Sequence, residues 1–464
     1  MVMHTIAPAR LVVAAPASGQ GKTTVATGIM AAFAARGLSV SPHKVGPDYI
    51  DPTYHAIAAG RPGRNLDPFL VGSARIAPLF LHGAATPNMA DIAIIEGVMG
   101  LYDGAVGRGE FASTAHVAKL LAAPILLVVD SSSQGRSVAA LVEGFANFDA
   151  GVRIGGVVLN RVGTDRHEWV LRAALDEIGI PVLGALARNS EISAPSRHLG
   201  LIPAAERTEA TARMVDALRE IVERSVDLDA VLALANSAER LSAPAWSPAD
   251  EIDSCGGAID ETPRIVIFGG AAFTFQYAET LELLEAAGAQ VVLIDPLVES
   301  QLPADTSGVL IGGGFPEVYA QTLAENVKLR EQIAAFNGPI VAECAGLLYL
   351  ARSLDGHQMC GVVKADAAMT DRLTLGYRQA LATSDSLLTR AGEQYSGHEF
   401  HRTDCTFDAD VSKQSAWSWE SEGAQMSDGY ADAQVHASYL HLHWAGSPQL
   451  AQRFVSACAE GVMR

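Results

Sequence analysis

Pro16–Thr23, PASGQGKT, lies between a short apolar run, Leu11–Ala15, and an alanine-rich segment, Thr24–Gly37, whose spacing is that of a helix. Strand, glycine-bearing loop, Lys-Thr and helix, in that order, form the layout of a phosphate-binding loop. Gly19 and Gly21 allow backbone N–H groups to turn towards a polyanion at a helix N-terminus, where the macrodipole favours negative charge. Lys22 is placed to reach the β- and γ-phosphates, and the Thr23 hydroxyl to complete an Mg²⁺ shell, with Thr24 beside it. The first position of the motif, usually Gly, is Pro16 here, which leaves the Gly-Lys-Thr core intact. A nucleotide, ATP or GTP, is the expected ligand.

A chain of 464 residues is too long for one ordinary core, so at least two domains are expected. With 49% hydrophobic and 18% charged residues it has the balance of a globular enzyme. The formal charge of −19 argues against a nucleic-acid partner, which calls for a basic patch. A local cationic pocket for an anionic small molecule is compatible with it. Five cysteines, odd in number and without CxxC spacing, suggest reduced thiols in the cytoplasm. No apolar stretch is long enough for a membrane span.

The first half alternates apolar strands (Leu11–Ala15, Leu38–His43, Asp91–Glu96, Ile125–Asp130, Ile154–Leu159, Val182–Leu186) with helical stretches, which predicts a parallel α/β sheet. Pro, Ser, Gly and Asp then dominate 243–262, the expected linker. A strand at Arg264–Phe268 restarts the α/β pattern, giving expected domains of 1–242 and 263–460.

Ligands of such sheets sit outside the C-terminal strand ends. Glu96 ends one strand and is a candidate for holding Mg²⁺ near the phosphates. Asp103, among glycines, is either a substrate contact or a turn carboxylate. KVGPDYIDPTY places Asp48 and Asp51 in a Pro/Gly loop, with a substrate role for both and a metal role for Asp48. Arg61 and Arg64 suit carboxylate recognition through forked hydrogen bonds. Asn160 either reads a purine edge or closes a turn.

In the second half, Pro339–Leu350, PIVAECAGLLYL, runs from a strand through Cys344 into a helix, like a nucleophile elbow. A thiol there is expected to be exposed and lowered in pKa by the helix N-terminus. IGGGFP, with Gly313 and Gly314, and the N–H of Ala345 offer an oxyanion hole. ASYLHLHW supplies His441 and His443 as candidate bases, with His398 and His401 of GHEFHR in reserve.

These parts follow the order of a class I glutamine amidotransferase. The chain resembles the cobyrinic acid a,c-diamide synthase family, including its hydrogenobyrinic acid version, through PASGQGKTT, KVGPDYIDPTYH, GRPGRNLDPF, IIEGVMGLYDG, VVLNRVG, SRHLGLIPAAE, IGGGFPEVYA, AECAGLLYL, GHEFHR and ASYLHLHW. The resemblance implies a dethiobiotin-synthetase-like ATP domain joined to a glutaminase domain. It implies amidation of the a and c carboxylates of a corrin polycarboxylate, with ammonia from glutamine passing between the domains. It also implies Cys344 as nucleophile and His441 as its base, and gives Arg61, Arg64, Arg197 and His198 a task on the polyanionic ring. The acid that related glutaminases carry two residues after the histidine is replaced by His443, so a Cys–His dyad is expected. Rival readings are cobyric acid synthase, a nickel-sirohydrochlorin diamidase, and a nucleotide switch with an inactive glutaminase module. Partitioning switches carry a Lys five positions before the loop Lys, where this chain has Ala17. A homodimer is compatible with all of these.

Overall fold

The computed structural model describes residues 7–188, 196–197, 200–201, 208–409, 414–421 and 423–462. The chain divides after Trp246 into two compact units.

In the first unit the strands are β1 (Ala9–Ala14), β2 (Val40–Val45), β3 (Arg64–Leu66), β4 (Ile92–Glu96), β5 (Ile125–Asp130), β6 (Ile154–Val162) and β7 (Val182–Ala187). They form one parallel sheet in the order β3-β2-β4-β1-β5-β6-β7. Unbroken apolar runs such as ILLVVD suit strands covered by helices on both faces, and β2 and β4 are buried throughout. The order reverses at β1, whose neighbours are β4 and β5, so the crevice at its C-terminal end opens where the phosphate loop begins. A further antiparallel pair, β8 (Ser196–Arg197) and β9 (Gly200–Leu201), follows.

Most expected elements form at their expected places. The loop expected at KVGPDYIDPTY is shorter than its composition suggests, because Asp51 and Pro52 begin a helix, α2 (Asp51–Ala59), with Pro in its first turn. Helix α1 (Lys22–Ala35) follows the phosphate loop and packs against helix Thr208–Ser225. At Gly28 they pack tightly: a Cβ there would fall 2.5 Å from Val222 Cγ2 and 2.9 Å from Leu218 O.

The second unit starts within the expected linker. Ser247 accepts a hydrogen bond from Asp250 N at 3.2 Å and Pro248 occupies the first turn of helix Pro248–Ser254, with Ile252 buried. The Ser-Pro signal is therefore a helix start, and the linker expected at 243–262 contains this helix. The strands here are β10 (Arg264–Phe268), β11 (Gln290–Ile294), β12 (Thr306–Ile311), β13 (Ile340–Glu343), β14 (Ser353–Leu354), β15 (His357–Gln358), β16 (Ala365–Ala382), β17 (Gln394–Phe407), β18 (Trp417–Ser421), β19 (Ala424–Asp428), β20 (Tyr430–Ala431), β21 (Val435–Ser438) and β22 (His441–Leu442). One sheet runs β11-β10-β12-β13-β21-β20, parallel except for its last pair. A second sheet, β15-β14-β16-β17-β22, is built on the long hairpin of β16 and β17. Between them β21 and β22 carry the chain from Ser438 in one sheet to His441 in the other. Among the described residues no helix is long and apolar enough to cross a membrane.

Replacing Gly28 with Ala gains helix propensity of about 1 kcal/mol. Forcing a Cβ into the α1 contact costs about 1–3 kcal/mol. The expected outcome is a lower midpoint of denaturant-induced unfolding for Gly28→Ala; an unchanged or raised midpoint would contradict the close packing.

Candidate active site

The first centre is built at the ends of β1, β2 and β4. Gly21, at φ 99°, precedes α1, and a Cβ there would lie 2.2 Å from Asn160 Nδ2. Asn160 donates to Gln20 O at 2.8 Å, while its Oδ1 accepts from Arg161 N at 2.9 Å. The amide expected to read a purine edge is thus engaged in bracing the phosphate loop. Gly19 has φ 76°, and Thr24 lies in the first turn of α1. Lys22 Nζ donates to Ala17 O at 3.2 Å and Met99 O at 2.5 Å. Burial, and next the nearby Lys44, push its ammonium down to about 8.

Thr23 Oγ1 donates to Glu96 Oε1 at 2.6 Å and stands 3.3 Å from Asp51 Oδ2. Lys44 Nζ lies 3.0 Å from the same Asp51 oxygen and 3.2 Å from Glu96 Oε1, and donates to Gly97 O at 2.9 Å. Glu96 Oε2 is 2.6 Å from His55 Nε2, and both side chains are almost completely buried. Burial would raise the Glu96 carboxyl, but Lys44, His55 and Thr23 outweigh it and hold Glu96 well below the usual range. Burial also opposes charge on Lys44, yet Glu96, Asp51 and Asp48 hold its ammonium above the ordinary value. Asp51 is pushed up by burial and by Asp48 and Glu96. A hydroxyl and two carboxylates converge here, the hard oxygen set that Mg²⁺ takes together with phosphate oxygens and water. Among the described residues no group of three or more His, Cys, Asp or Glu could hold a metal ion.

Several candidates are placed differently from expectation. Asp48 Oδ1 accepts from Ile50 N at 2.7 Å and Asp51 N at 3.2 Å, so it shapes the start of α2, and Asp51 takes its place beside Thr23. Asp103 Oδ2 accepts from Gly100 N at 2.9 Å and holds a turn. Arg61 donates to Ser39 Oγ and to the carbonyls of Gly83, Ala84 and Thr86, which commits its guanidinium to the fold. Arg64 is buried on β3, against Gly83. Neither arginine presents an open fork to a substrate carboxylate. Arg197 is described only by its place in β8, and His198 lies outside the described residues. Sequence reasoning missed His55, whose only signal was its place at the end of KVGPDYIDPTYH.

The second centre begins where β13 ends. Cys344 adopts φ 49°, ψ −101°, a backbone conformation costing about 1–3 kcal/mol in a non-glycine residue. Its N–H donates to Ser438 O at 2.7 Å, and helix Ala345–Leu350 starts at the next residue. This is the tight strand-to-helix turn of a nucleophile elbow. The thiol differs from expectation: Cys344 is 3% exposed. Burial, followed by the Glu317 carboxylate, pushes its pKa up, while the N–H groups of Ala345 and Gly314 aim at the sulfur and pull it down. The thiolate therefore depends on a base.

His441 is completely buried and held neutral, first by burial and then by His398 and His401. Its ring lies 4.9 Å from that of His398, its cross-strand partner. A Cβ on Gly313 would fall 2.4 Å from His441 Cε1, and one on Gly314 2.1 Å from Ala272 O. Only glycines at these two positions leave room for the His441 ring and the Ala272 carbonyl. Asp428 Oδ2 accepts from Tyr439 N at 2.8 Å and Leu440 N at 3.2 Å, fixing the chain just before His441. His443 stacks on Tyr277 at 4.1 Å and lies 3.8 Å from Glu279 Oε2. His401 stacks on Tyr439 at 3.8 Å.

A phosphate loop in one unit and a cysteine elbow in the other define an ATP-dependent glutamine amidotransferase, and the comparisons agree. Residues 11–202 match the CobQ/CobB/MinD/ParA nucleotide binding domain, and 264–449 match the CobB/CobQ-like glutamine amidotransferase domain. Over 478 residues the chain is 54% identical to a hydrogenobyrinate a,c-diamide synthase of Streptomyces coelicolor, covering 97% of each chain. It is 52% identical to the enzyme of that name from Thermobifida fusca, covering 97% of this chain and 96% of that one. A cobyrinate a,c-diamide synthase of Synechococcus sp. is 41% identical over 97% of this chain and 98% of its own. The chain belongs to the a,c-diamide synthase family.

Gly313→Ala drives a methyl into the His441 ring, which is buried between neighbours and has little room to retreat. A misplacement of about 1 Å can cost roughly 10²-fold. Glutaminase turnover is expected to fall by about that factor while amidation with added ammonia persists; wild-type glutaminase turnover in this variant would contradict the placement of His441.

Proposed function

We propose that this enzyme converts the a and c side-chain carboxylates of hydrogenobyrinic or cobyrinic acid into carboxamides in cobalamin biosynthesis, using ATP and glutamine. The observation that carries this reading is the coexistence in one chain of the Thr23–Glu96–Asp51 oxygen cluster behind a phosphate loop and a strand-to-helix turn at the buried Cys344. Full-length similarity to enzymes named for this reaction supports it over cobyric acid synthase and the nickel-sirohydrochlorin diamidase. A switch with a dead glutaminase module is disfavoured by the strand-to-helix turn at Cys344 within a chain segment that matches the CobB/CobQ-like glutamine amidotransferase domain.

In the second unit, His441 takes the proton of the Cys344 thiol, and the thiolate adds to the glutamine carboxamide. The oxyanion faces the N–H groups of Gly314 and Ala345. His441 returns the proton to the departing nitrogen, releasing ammonia and leaving a glutamyl thioester. Water, deprotonated by His441, hydrolyses the thioester to glutamate and free Cys344. In the first unit a carboxylate oxygen attacks the γ-phosphorus of ATP, giving an acyl phosphate and ADP. Ammonia displaces phosphate and yields the amide. Lys22 leaves the Ala17 and Met99 carbonyls to meet phosphate charge as it builds. Thr23, Glu96 and Asp51 would hold Mg²⁺, which when bound neutralises phosphate charge. Lys44 and His55 keep Glu96 ionised and oriented. Few cysteines and small-molecule substrates support a cytoplasmic enzyme.

Incubation with ATP, Mg²⁺, glutamine and each tetrapyrrole in turn, read by mass spectrometry, is expected to show two amidations of hydrogenobyrinic or cobyrinic acid. Product from cobyric acid precursors already amidated at a and c, with none from the free acids, would overturn the assignment. Cys344→Ser is expected to abolish glutamine-dependent amidation and spare the ammonia-dependent reaction; equal loss with both nitrogen donors would remove Cys344 from its assigned role. Asp51→Asn should reduce ATP-dependent amidation with either donor by about 10²-fold or more, as loss of a group facing transition-state charge does. Asp48→Asn should cost much less, and the reverse ranking would contradict the oxygen cluster.

A further inference from the structure

Related glutaminases place an acid two residues beyond the base, and His443 occupies that position here. The structure supplies a carboxylate to the base from elsewhere. Glu343 is the last residue of β13, immediately before the nucleophile, and the parallel register pairs it with Ser438 at the end of β21. Its Oε1 accepts from Trp444 Nε1 at 3.4 Å, and the carboxylate also accepts from Leu442 N–H. Its Oε2 stands 3.9 Å from His441 Nδ1, with side-chain exposures of 15% for Glu343 and 0% for His441. Glu343 is thus tied to the residues on either side of His443 and aims its other oxygen at the base. At 3.9 Å this is an ion-pair approach, and catalytic contacts often tighten only in the reacting complex.

We propose that Glu343 is the positioning acid of the glutaminase centre, orienting His441 in place of the missing acid. The proposal rests on the reading of Cys344 and His441 as nucleophile and base. As a carboxylate, Glu343 accepts Nδ1–H of His441, which leaves Nε2 bare to take the Cys344 proton. The imidazolium formed in that step then lies beside a negative charge. Another carboxylate of the region, Glu279, lies 3.8 Å from His443 Nε2. The groups facing Glu343 are His441, the Trp444 indole, Leu442 N–H and Cys344. Burial pushes the Glu343 carboxyl up to about 8, against the opposing pull of Trp444 and Leu442. Glutaminase kcat/KM is therefore expected to fall as pH drops through about 8, where the carboxylate takes up a proton and loses the negative charge that steadies the His441 imidazolium.

The test uses the full chain. Glu343→Gln retains an oxygen acceptor for Trp444 and Leu442 and sets a neutral NH₂ donor, in place of the charged acceptor, towards His441 Nδ1. Loss of the orienting carboxylate in a related catalytic arrangement costs up to about 10⁴ in kcat. The expected result is a glutaminase kcat lowered by about 10²–10⁴, with KM for glutamine, ammonia-dependent amidation and thermal midpoint near wild type. The inflection near pH 8 is expected to vanish, and Glu279→Gln to keep wild-type glutaminase. A wild-type kcat and pH profile in Glu343→Gln would overturn the proposal. So would greater damage in Glu279→Gln, or a Glu343→Gln variant that loses ammonia-dependent activity and thermal stability together. Cys344→Ser assayed alongside separates the two levels: if it keeps glutaminase activity, the underlying pair falls, whereas if it is dead and Glu343→Gln is fully active, only the role of Glu343 falls.

Discussion

A buried parallel strand that must hand over to a helix within a very few residues is the constraint on which both centres depend. At the end of β1 the handover is made by glycines at positive φ, which turns backbone N–H groups towards an anion at the start of α1. At the end of β13 it is made by a cysteine at φ 49°, which places a thiol in front of helix Ala345–Leu350. A buried strand thus hands over to a helix through a positive-φ turn in both units. Both positions follow from sheets whose strands are buried, because only the strand ends are open to ligands.

Close packing around these turns converts geometry into chemistry. Asn160 rests against Gly21, and the His441 ring against Gly313, at distances that exclude any side chain larger than hydrogen. Burial then sets the charges. Glu96 is kept ionised by Lys44 and His55 despite its burial, whereas Cys344 and Glu343, with fewer compensating donors, are both pushed towards their neutral forms. The nucleotide centre is therefore charged at rest, and the glutaminase centre is close to neutral until substrate and base act together.

Much of the fold was legible because its signals are local. The phosphate loop, the alternation of apolar strands with helices, and the AECAG turn all lie within short windows. The turn that carries Cys344 at φ 49° was marked by its motif. The long hairpin of β16 and β17 was not anticipated, since its half-exposed strands lack the continuous apolar runs of the parallel sheets. Arg61 and Arg64 were read as substrate contacts because exposure cannot be read from residue type; the carbonyls of Gly83 and Thr86 capture Arg61, and β3 buries Arg64. The exchange of Asp48 for Asp51, and the contacts of His55 and Glu343, depend on register between strands far apart in sequence.

The central claim is a division of labour, in which the first unit activates a carboxylate as an acyl phosphate and the second liberates the ammonia that consumes it. It is tested most directly in one incubation with ATP, tetrapyrrole labelled with ¹⁸O in its carboxylates and glutamine labelled with ¹⁵N in its amide. Mass spectrometry then follows both labels. The account predicts ¹⁵N in each new amide and transfer of one ¹⁸O to inorganic phosphate for every amide formed. Label in AMP, or unlabelled phosphate alongside amide product, would contradict it.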